Sequence, residues 1–184
     1  MFLEGESWKP QHASHPKEWA IHQSFLERAV ELALAAEATG NIPIGALVVL
    51  DGEIIAEGQN TLLVPHYHPG RHGEIEALKN VPHTLWHRAS EMTCYTTLEP
   101  CVMCYGTLLL HGVGTIIFGA TDPEGGFRTI EDALPNFYYN HARPRWQGPL
   151  MAQVCDPLYE RAKRLFDETP VGRESDGSNP ALQD

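Results

Sequence analysis

The tightest constraint on this chain is a pair of cysteines, Cys101 and Cys104, that lie one helical turn apart directly after Pro100. The segment that follows is apolar and predicts a helix over residues 102–111. At this spacing, both sulfur atoms can point towards one metal ion at the start of the helix. The free N–H groups of a helix N-terminus also favour the thiolate, which is the form that binds metals. The pair therefore predicts a metal site at a helix N-terminus.

The other ligands of such a site have to come from elsewhere in the chain. The two remaining cysteines, Cys94 and Cys155, form no second Cys-x-x-Cys pair, so a structural site of four cysteines is not expected. His72 is the best candidate for a third ligand because it opens another predicted helix. Three protein ligands leave one position for water, and Glu74 can reach that position as a proton acceptor without binding the metal.

Each of these residues also has an ordinary interpretation. An isolated Cys-x-x-Cys pair can be a redox pair. A single histidine before a helix is usually exposed, and a single glutamate in a first helical turn is usually solvated. The combination of His-x-Glu, 25 intervening residues and Pro-Cys-x-x-Cys is more specific than any of its parts.

Hydrophobic periodicity predicts an α/β chain. The predicted elements are a helix over 18–39, strands over 44–50 and 53–58, a helix over 72–79, a strand over 92–97, a helix over 102–111, strands over 114–119 and 150–154, and a helix over 157–167. Asp51 and Gly52 form a strong hairpin signal between the first two strands. Pro157 is expected at the first position of the last helix. The order strand, helix, strand over 92–119 indicates a parallel crossover.

Length and composition limit the class of protein. The chain has 184 residues, and we expect an irregular segment over 1–14, a single domain over 15–168 and a polar, flexible tail over 169–184. It has no signal peptide and no apolar stretch near the ~18 residues that span a bilayer, so a cytoplasmic location is expected. The formal net charge of −11 argues against broad electrostatic binding to nucleic acid or to an anionic membrane, and leaves room for a local basic patch.

The complete pattern of His-x-Glu and Pro-Cys-x-x-Cys resembles the signature of the zinc-dependent cytidine-deaminase-like superfamily. The segments IGALVV, AEGQN, TLEPCVMC and GTIIFGATD are most similar to its purine branch, which contains guanine deaminases and tRNA adenosine deaminases. This resemblance implies a deaminase domain over 15–168 with a three-layer α/β/α fold and a central mixed sheet of about five strands. It also implies that the helices over 72–79 and 102–111 carry the metal, and that the protein is a homodimer.

The resemblance further implies roles for individual residues. The ligands of Zn²⁺ would be His72, Cys101 and Cys104. Glu74 would move protons during hydrolytic deamination, and Asn60 would contact the substrate base or sugar. The main-chain N–H of Gly73 would lie near the substrate carbonyl. Alanine is most frequent at this position in the family, and glycine is expected to remove a methyl group from the pocket floor and to loosen the helix start by up to ~1 kcal/mol.

The nature of the substrate is predicted from charge. A free nucleobase or nucleoside is favoured, with a guanine-type purine preferred, because a chain with a net charge of −11 and an acidic C-terminal segment is a poor match for a polyanion. A tRNA adenosine deaminase and a pyrimidine nucleoside or nucleotide deaminase are the alternatives within the enzyme class. A catalytically silent zinc scaffold is the alternative outside it. Nucleic acid is thus an unlikely but not excluded partner.

Further residues are candidates for the surroundings of the substrate, each with a structural alternative. Aromatic residues that can stack on a base, or pack in a core or dimer interface, are Phe127, Phe137, Tyr138 and Tyr139. Acidic residues that can recognise a base edge, or simply be solvated, are Glu131 and Asp132. Residues that can form a small phosphate or stacking patch, or an ordinary loop, are Arg143, Arg145 and Trp146. His66 and His68 can line the mouth of the pocket or lie in an exposed loop.

Overall fold

The computed structural model describes residues 16–139 and 143–169. The strands are β1 (Gly45–Leu50), β2 (Glu53–Gln59), β3 (Thr93–Leu98), β4 (Thr115–Ala120) and β5 (Arg145–Gln147). The α-helices are α1 (Pro16–Ala38), α2 (Gly73–Lys79), α3 (Val102–Leu110), α4 (Asn136–Tyr139) and α5 (Ala152–Asp167). Short 3₁₀ helices span His83–Glu91, Phe127–Thr129 and Glu131–Ala133. The predicted segment 1–14 and residues 170–184 of the predicted tail lie outside the described residues.

The strands form one mixed sheet in the order β2-β1-β3-β4-β5. β1 is antiparallel to both β2 and β3, whereas β3, β4 and β5 are parallel to one another. The predicted hairpin is confirmed, because Asp51 and Gly52 have φ angles of 55° and 78°, which are the left-handed values that a type I′ turn requires. The predicted parallel crossover is confirmed as β3, α3 and β4.

Helices cover both faces of the sheet, which confirms the three-layer α/β/α fold. Successive side chains of a strand point to opposite faces. Ala46 and Val48 of β1 accordingly pack in the core beneath α2 and α3, whereas Leu47 and Val49 pack against α1. α5 packs on β3 and β4 and is joined to α1 by an ion pair between Arg161 and Glu37. None of the helices within 16–139 and 143–169 has the length and apolar character needed to cross a bilayer.

Two predictions for the last part of the chain are wrong. The fifth strand is β5, which pairs with β4, and residues 150–154 instead lead into α5. Pro157 therefore lies inside α5 and not at its first position. A short apolar run fits a strand and a buried helical segment equally well, so packing decides between them. Pro157 is exposed, and it removes one hydrogen bond of the helix. α5 tolerates this loss because the burial of Leu158 and Ala162 stabilises the helix by more than the lost hydrogen bond.

The close packing of α2 on β2 depends on Gly58. A Cβ at this position would overlap the main chain at Ala77 N and Gly73 O. We expect Gly58→Ala to lower the free energy of unfolding by about 2 kcal/mol or more, because α2 has to move away from the sheet. Gly106→Ala in α3 is the control: its Cβ meets no described atom within 4 Å, so alanine should raise the free energy of unfolding by up to ~1 kcal/mol. Urea denaturation measures both variants, and an unchanged midpoint for Gly58→Ala would contradict the packing.

Candidate active site

The helices α2 and α3 begin at the same edge of the sheet. β2 and β3 are both antiparallel to β1, so they run in the same direction and end at this edge. α3 follows β3 closely, and α2 follows the loop after β2. His72 is the N-cap residue of α2 and Cys101 that of α3, each with an extended backbone conformation. The fold therefore brings together the two helix N-termini that carry the predicted motifs.

The side chains of His72, Cys101 and Cys104 form a group that can hold one metal ion. Their donor atoms lie within 4.8 Å of one another. His72 Nδ1 is 3.6 Å from Cys101 Sγ and 3.5 Å from Cys104 Sγ. Tetrahedral zinc, with Zn–N bonds of ~2.1 Å and Zn–S bonds of ~2.3 Å, places a nitrogen and a sulfur ligand ~3.6 Å apart. The spacing and the donor set of one nitrogen and two sulfurs therefore fit zinc.

Hydrogen bonding within this group favours one thiolate. A hydrogen bond from the Cys104 thiol, together with one from His72, lowers the pKa of Cys101 to about 4. The shared hydrogen bond with Cys101 and burial raise the pKa of Cys104. Burial disfavours the charged form of His72, but its hydrogen bond to Cys101 raises its pKa overall. Because ligands bind a metal in their deprotonated forms, metal binding releases the protons that remain in this group.

Glu74 lies beside the three donors and makes contacts of its own. Its side chain is 3% exposed. Oε2 lies 3.4 Å from Cys104 Sγ, and Oε1 accepts a hydrogen bond from the hydroxyl of Thr96 at the same distance. Burial raises the pKa of Glu74 above the ordinary value of a carboxyl group. This position is consistent with the predicted proton transfer, and the role itself stays a prediction.

The two predicted substrate-binding residues have different surroundings. Asn60 is 1% exposed and lines the same cleft as Glu74. Its Oδ1 accepts the main-chain N–H of Leu62 at 3.0 Å, so the amide N–H₂ group is the part that can donate to a ligand. Gly73 is buried and is not among the described residues that line the cleft. A Cβ there would lie 3.1 Å from Ile44 O, so an added methyl would press on the main chain before β1. The sequence had instead predicted that this methyl would form part of the pocket floor.

A cleft of about 580 Å³ includes this site. The site residues in its lining are Asn60, His72, Glu74 and Cys101. Apolar side chains in the lining include Ile42, Ile44, Leu62, Leu98, Met103 and Phe166. Tyr67 and Pro69 of the loop after β2 also line the cleft. Further walls come from the loop 122–125 and from α5, and sequence reasoning missed these two. The helical spacing of Leu158, Ala162 and Leu165 identifies the inner side of α5, but it does not indicate which part of the fold that side covers.

Glu99 is a further residue that the sequence analysis missed. Its carboxylate is buried and accepts hydrogen bonds from the main-chain N–H groups of Asp122 and Arg128, both at 3.2 Å. The Arg128 guanidinium lies 2.9 Å from Glu99 Oε2. These contacts hold the loop 122–128 beside Cys101, which forms an isolated β-bridge with Gly126. The sequence offered one signal for this contact, which is an acidic residue between a buried strand and Pro100. A carboxylate that is buried at such a position is expected to have a charged or hydrogen-bonding partner.

Of the two alternatives for Phe127, stacking on a base or packing in the core, the structure shows the second. This residue is fully buried and stacks on Tyr105, with ring centroids 4.2 Å apart, in the core beneath α3. Tyr138 packs against the same core, and Phe137 is exposed. The side chain of Tyr139 lies outside the described residues. None of the described aromatic residues of this predicted set lines the cleft.

The other candidate residues lie elsewhere on the surface. Glu131 accepts a hydrogen bond from Trp146 Nε1 at 3.0 Å, and Asp132 is exposed. Arg145 is exposed on β5, and Trp146 stacks on Phe118. Residues outside the cleft lining as described are Glu131, Asp132, Arg143, Arg145, Trp146, His66 and His68. Their structural alternatives are therefore favoured over a role in the pocket.

Comparison with known proteins agrees with this geometry. Residues 20–120 match the cytidine and deoxycytidylate deaminase zinc-binding region. The tRNA-specific adenosine deaminases of Bacillus subtilis and Haemophilus influenzae are 38% and 42% identical, over 82% and 81% of this chain and 94% and 87% of their own lengths. The guanine deaminase of Bacillus subtilis is 37% identical over 61% of this chain and 73% of its own length. A solved structure from a study of A-to-I editing by tRNA:A34 deaminases has a TM-score of 0.66 and 28% identity, and the match covers 74% of this chain and 99% of that one.

The family match and the donor group lead to one conclusion about the chemistry. The matched region is zinc-binding, and the described residues contain a histidine and two cysteines that fit this metal. The cofactor is therefore Zn²⁺, and the protein is a zinc-dependent hydrolase that removes an exocyclic amine from a nucleobase. The chain belongs to the cytidine and deoxycytidylate deaminase zinc-binding family.

Proposed function

We propose that this protein deaminates adenosine in tRNA. The observation that carries the proposal is the extent of similarity: relatives named as tRNA-specific adenosine deaminases match 82% and 81% of the chain, whereas the relative named as a guanine deaminase matches 61%. The preference for a free guanine-type base, which charge alone suggested, is not favoured by these comparisons. A net charge is summed over the whole surface, whereas a tRNA loop contacts only a small part of it.

The proposed zinc ligands are His72, Cys101 and Cys104. The distances from His72 Nδ1 to the two sulfur atoms support this assignment, because they match the nitrogen–sulfur edges of a zinc tetrahedron that has one corner free. Bound zinc supplies a Lewis acid that activates water at neutral pH. The helix N-termini at His72 and Cys101 stabilise negative charge in the same place.

Glu74 is the proposed proton carrier. It takes one proton from the attacking water and gives it to the ring nitrogen. It then takes the second proton from the hydroxyl group that has been added to the ring carbon and gives it to the departing amine, so that the carbon–nitrogen bond breaks and ammonia leaves as a neutral molecule. The hydroxyl of Thr96 orients one carboxylate oxygen, which leaves Oε2 turned towards the metal donors. The buried position keeps bulk water from exchanging this proton during the reaction.

Asn60 and the apolar residues of the cleft are proposed to hold the base. The fixed amide of Asn60 donates its N–H₂ group to an acceptor on the base or sugar. Leu62 and Leu98 supply apolar surface for a planar ring. The main-chain N–H of Gly73 remains a predicted substrate contact.

A substrate panel tests the proposed function. The purified zinc enzyme is incubated with an anticodon stem-loop RNA that has adenosine at the wobble position, and separately with guanine, adenosine and cytidine. We expect inosine in the digested RNA by mass spectrometry, and little ammonia from the small molecules. Ammonia from guanine with unchanged RNA would contradict the proposal and support a guanine deaminase instead. No turnover of any substrate by zinc-loaded protein would favour the scaffold alternative.

A further inference from the structure

The walls of the cleft carry more negative than positive charge. Lys163 is the one lysine or arginine among the described residues that line it. The carboxylates in the lining are Glu74, Glu99, Asp122, Glu124 and Asp167. Glu99 is paired with Arg128, and Glu74 lies beside the metal donors, so the other three determine the field in the rest of the cleft. A phosphate is repelled by such walls except near Lys163.

Lys163 joins α5 to the loop 122–125. Its Nζ lies 2.8 Å from Glu124 Oε2 and 3.9 Å from Asp167 Oδ2. Asp122 Oδ1 accepts the main-chain N–H groups of Glu124 and Gly125, which fixes the turn that presents Glu124. The side chains of Lys163 and Glu124 are 37% and 64% exposed. Ion pairs this exposed contribute little to stability, so Lys163 can exchange Glu124 for another anion at small cost.

We propose that Lys163 binds a phosphate of the RNA substrate and that Glu124 competes with this phosphate for the lysine. The inference rests on the proposed function, since a free base carries no phosphate. An adenosine in RNA is attached to its phosphates, so a base that reaches Glu74 brings a phosphate to the same cleft. The ammonium group of lysine binds phosphate as a point charge. Glu124 thereby weakens the binding of RNA at Lys163.

Removal of the positive charge tests the phosphate contact. Binding of the zinc enzyme to a fluorescently labelled anticodon stem-loop is measured by anisotropy at several salt concentrations. Lys163→Gln should raise the Kd about 3- to 10-fold and make the plot of log Kd against log salt shallower by about 0.7 to 1, which corresponds to one phosphate contact. Arg164→Gln is the matched control, because Arg164 is an exposed cation of the same helix that does not line the cleft.

Removal of the competing anion tests the role of Glu124. Glu124→Gln keeps the size of the side chain and should lower the Kd for the stem-loop about 2- to 5-fold, because the phosphate no longer displaces a carboxylate. Glu160→Gln removes the same charge from an exposed position of α5 outside the cleft lining and should change the Kd less than Glu124→Gln does. Equal effects of the two glutamine variants would overturn the competition.

The results separate this inference from the proposed function. If Lys163→Gln and Arg164→Gln form inosine in the RNA equally well and bind the RNA with the same salt dependence, the phosphate contact is overturned and the proposed reaction stands. RNA that is bound through Lys163 but never deaminated would support the contact and overturn the reaction. RNA that is neither bound nor deaminated would overturn both.

Discussion

Glu74→Gln is expected to lower kcat by about 10²- to 10⁴-fold while the enzyme keeps its zinc, which is the range that general acid–base catalysis contributes. Glutamine has nearly the same shape as glutamate and can still accept the hydrogen bond from Thr96. It cannot take up a proton, so the attacking water and the departing amine lose their proton carrier. Because Glu74 is buried, a neutral replacement of equal size should also leave the fold intact. Inosine formation gives kcat, and elemental analysis gives the zinc content.

Glu76→Gln is the matched control for this variant. Glu76 lies two residues further along α2 and forms ion pairs with Arg71 and Lys79 away from the cleft lining. Loss of its charge should leave kcat within about twofold, because partly exposed ion pairs contribute only ~0–1 kcal/mol to stability. Normal turnover in Glu74→Gln would remove the proposed proton carrier. Loss of zinc in that variant would show that Glu74 acts through the metal site.

Cys101→Ala is expected to abolish both zinc binding and deamination. The variant retains one histidine and one cysteine, which is fewer than the three protein ligands that a catalytic zinc site needs. The zinc content should fall from about one ion per chain to near zero. The folded core should persist, because the packed clusters on both faces of the sheet do not include Cys101. Elemental analysis and circular dichroism measure these two outcomes.

Cys155→Ala is the control for the loss of a thiol. Cys155 is buried where α5 packs on Gly119, and it is not part of the donor group. This variant should therefore keep its zinc and its activity. Full zinc occupancy in Cys101→Ala would contradict the assigned ligands. If Cys101→Ala does not fold, the zinc contents of Cys104→Ala and Cys101→Ser test the assigned ligands instead.

The amino-acid composition of this protein does not by itself indicate its substrate. The net charge of −11 argued for a small uncharged substrate, whereas relatives that match 82% and 81% of the chain are named for tRNA. Charge affects recognition through its position as well as its sum. The sequence does not show that Lys163 and Glu124 meet, because they are 39 positions apart and lie on different elements. Their contact exists because α5 packs beside the loop that follows β4.

The sequence by itself determined the candidate metal donors, the residue beside them and the main layers of the fold. Cys101 and Cys104 are one helical turn apart, and His72 and Glu74 are two residues apart, so these relations are local and follow from helix geometry. The tertiary structure decided which surfaces surround the donors. Phe127 lies in the core, whereas Tyr159 of α5, an aromatic residue outside the predicted set, lines the cleft. Each position depends on how distant segments pack, and the apolar character of a side chain does not specify its neighbours.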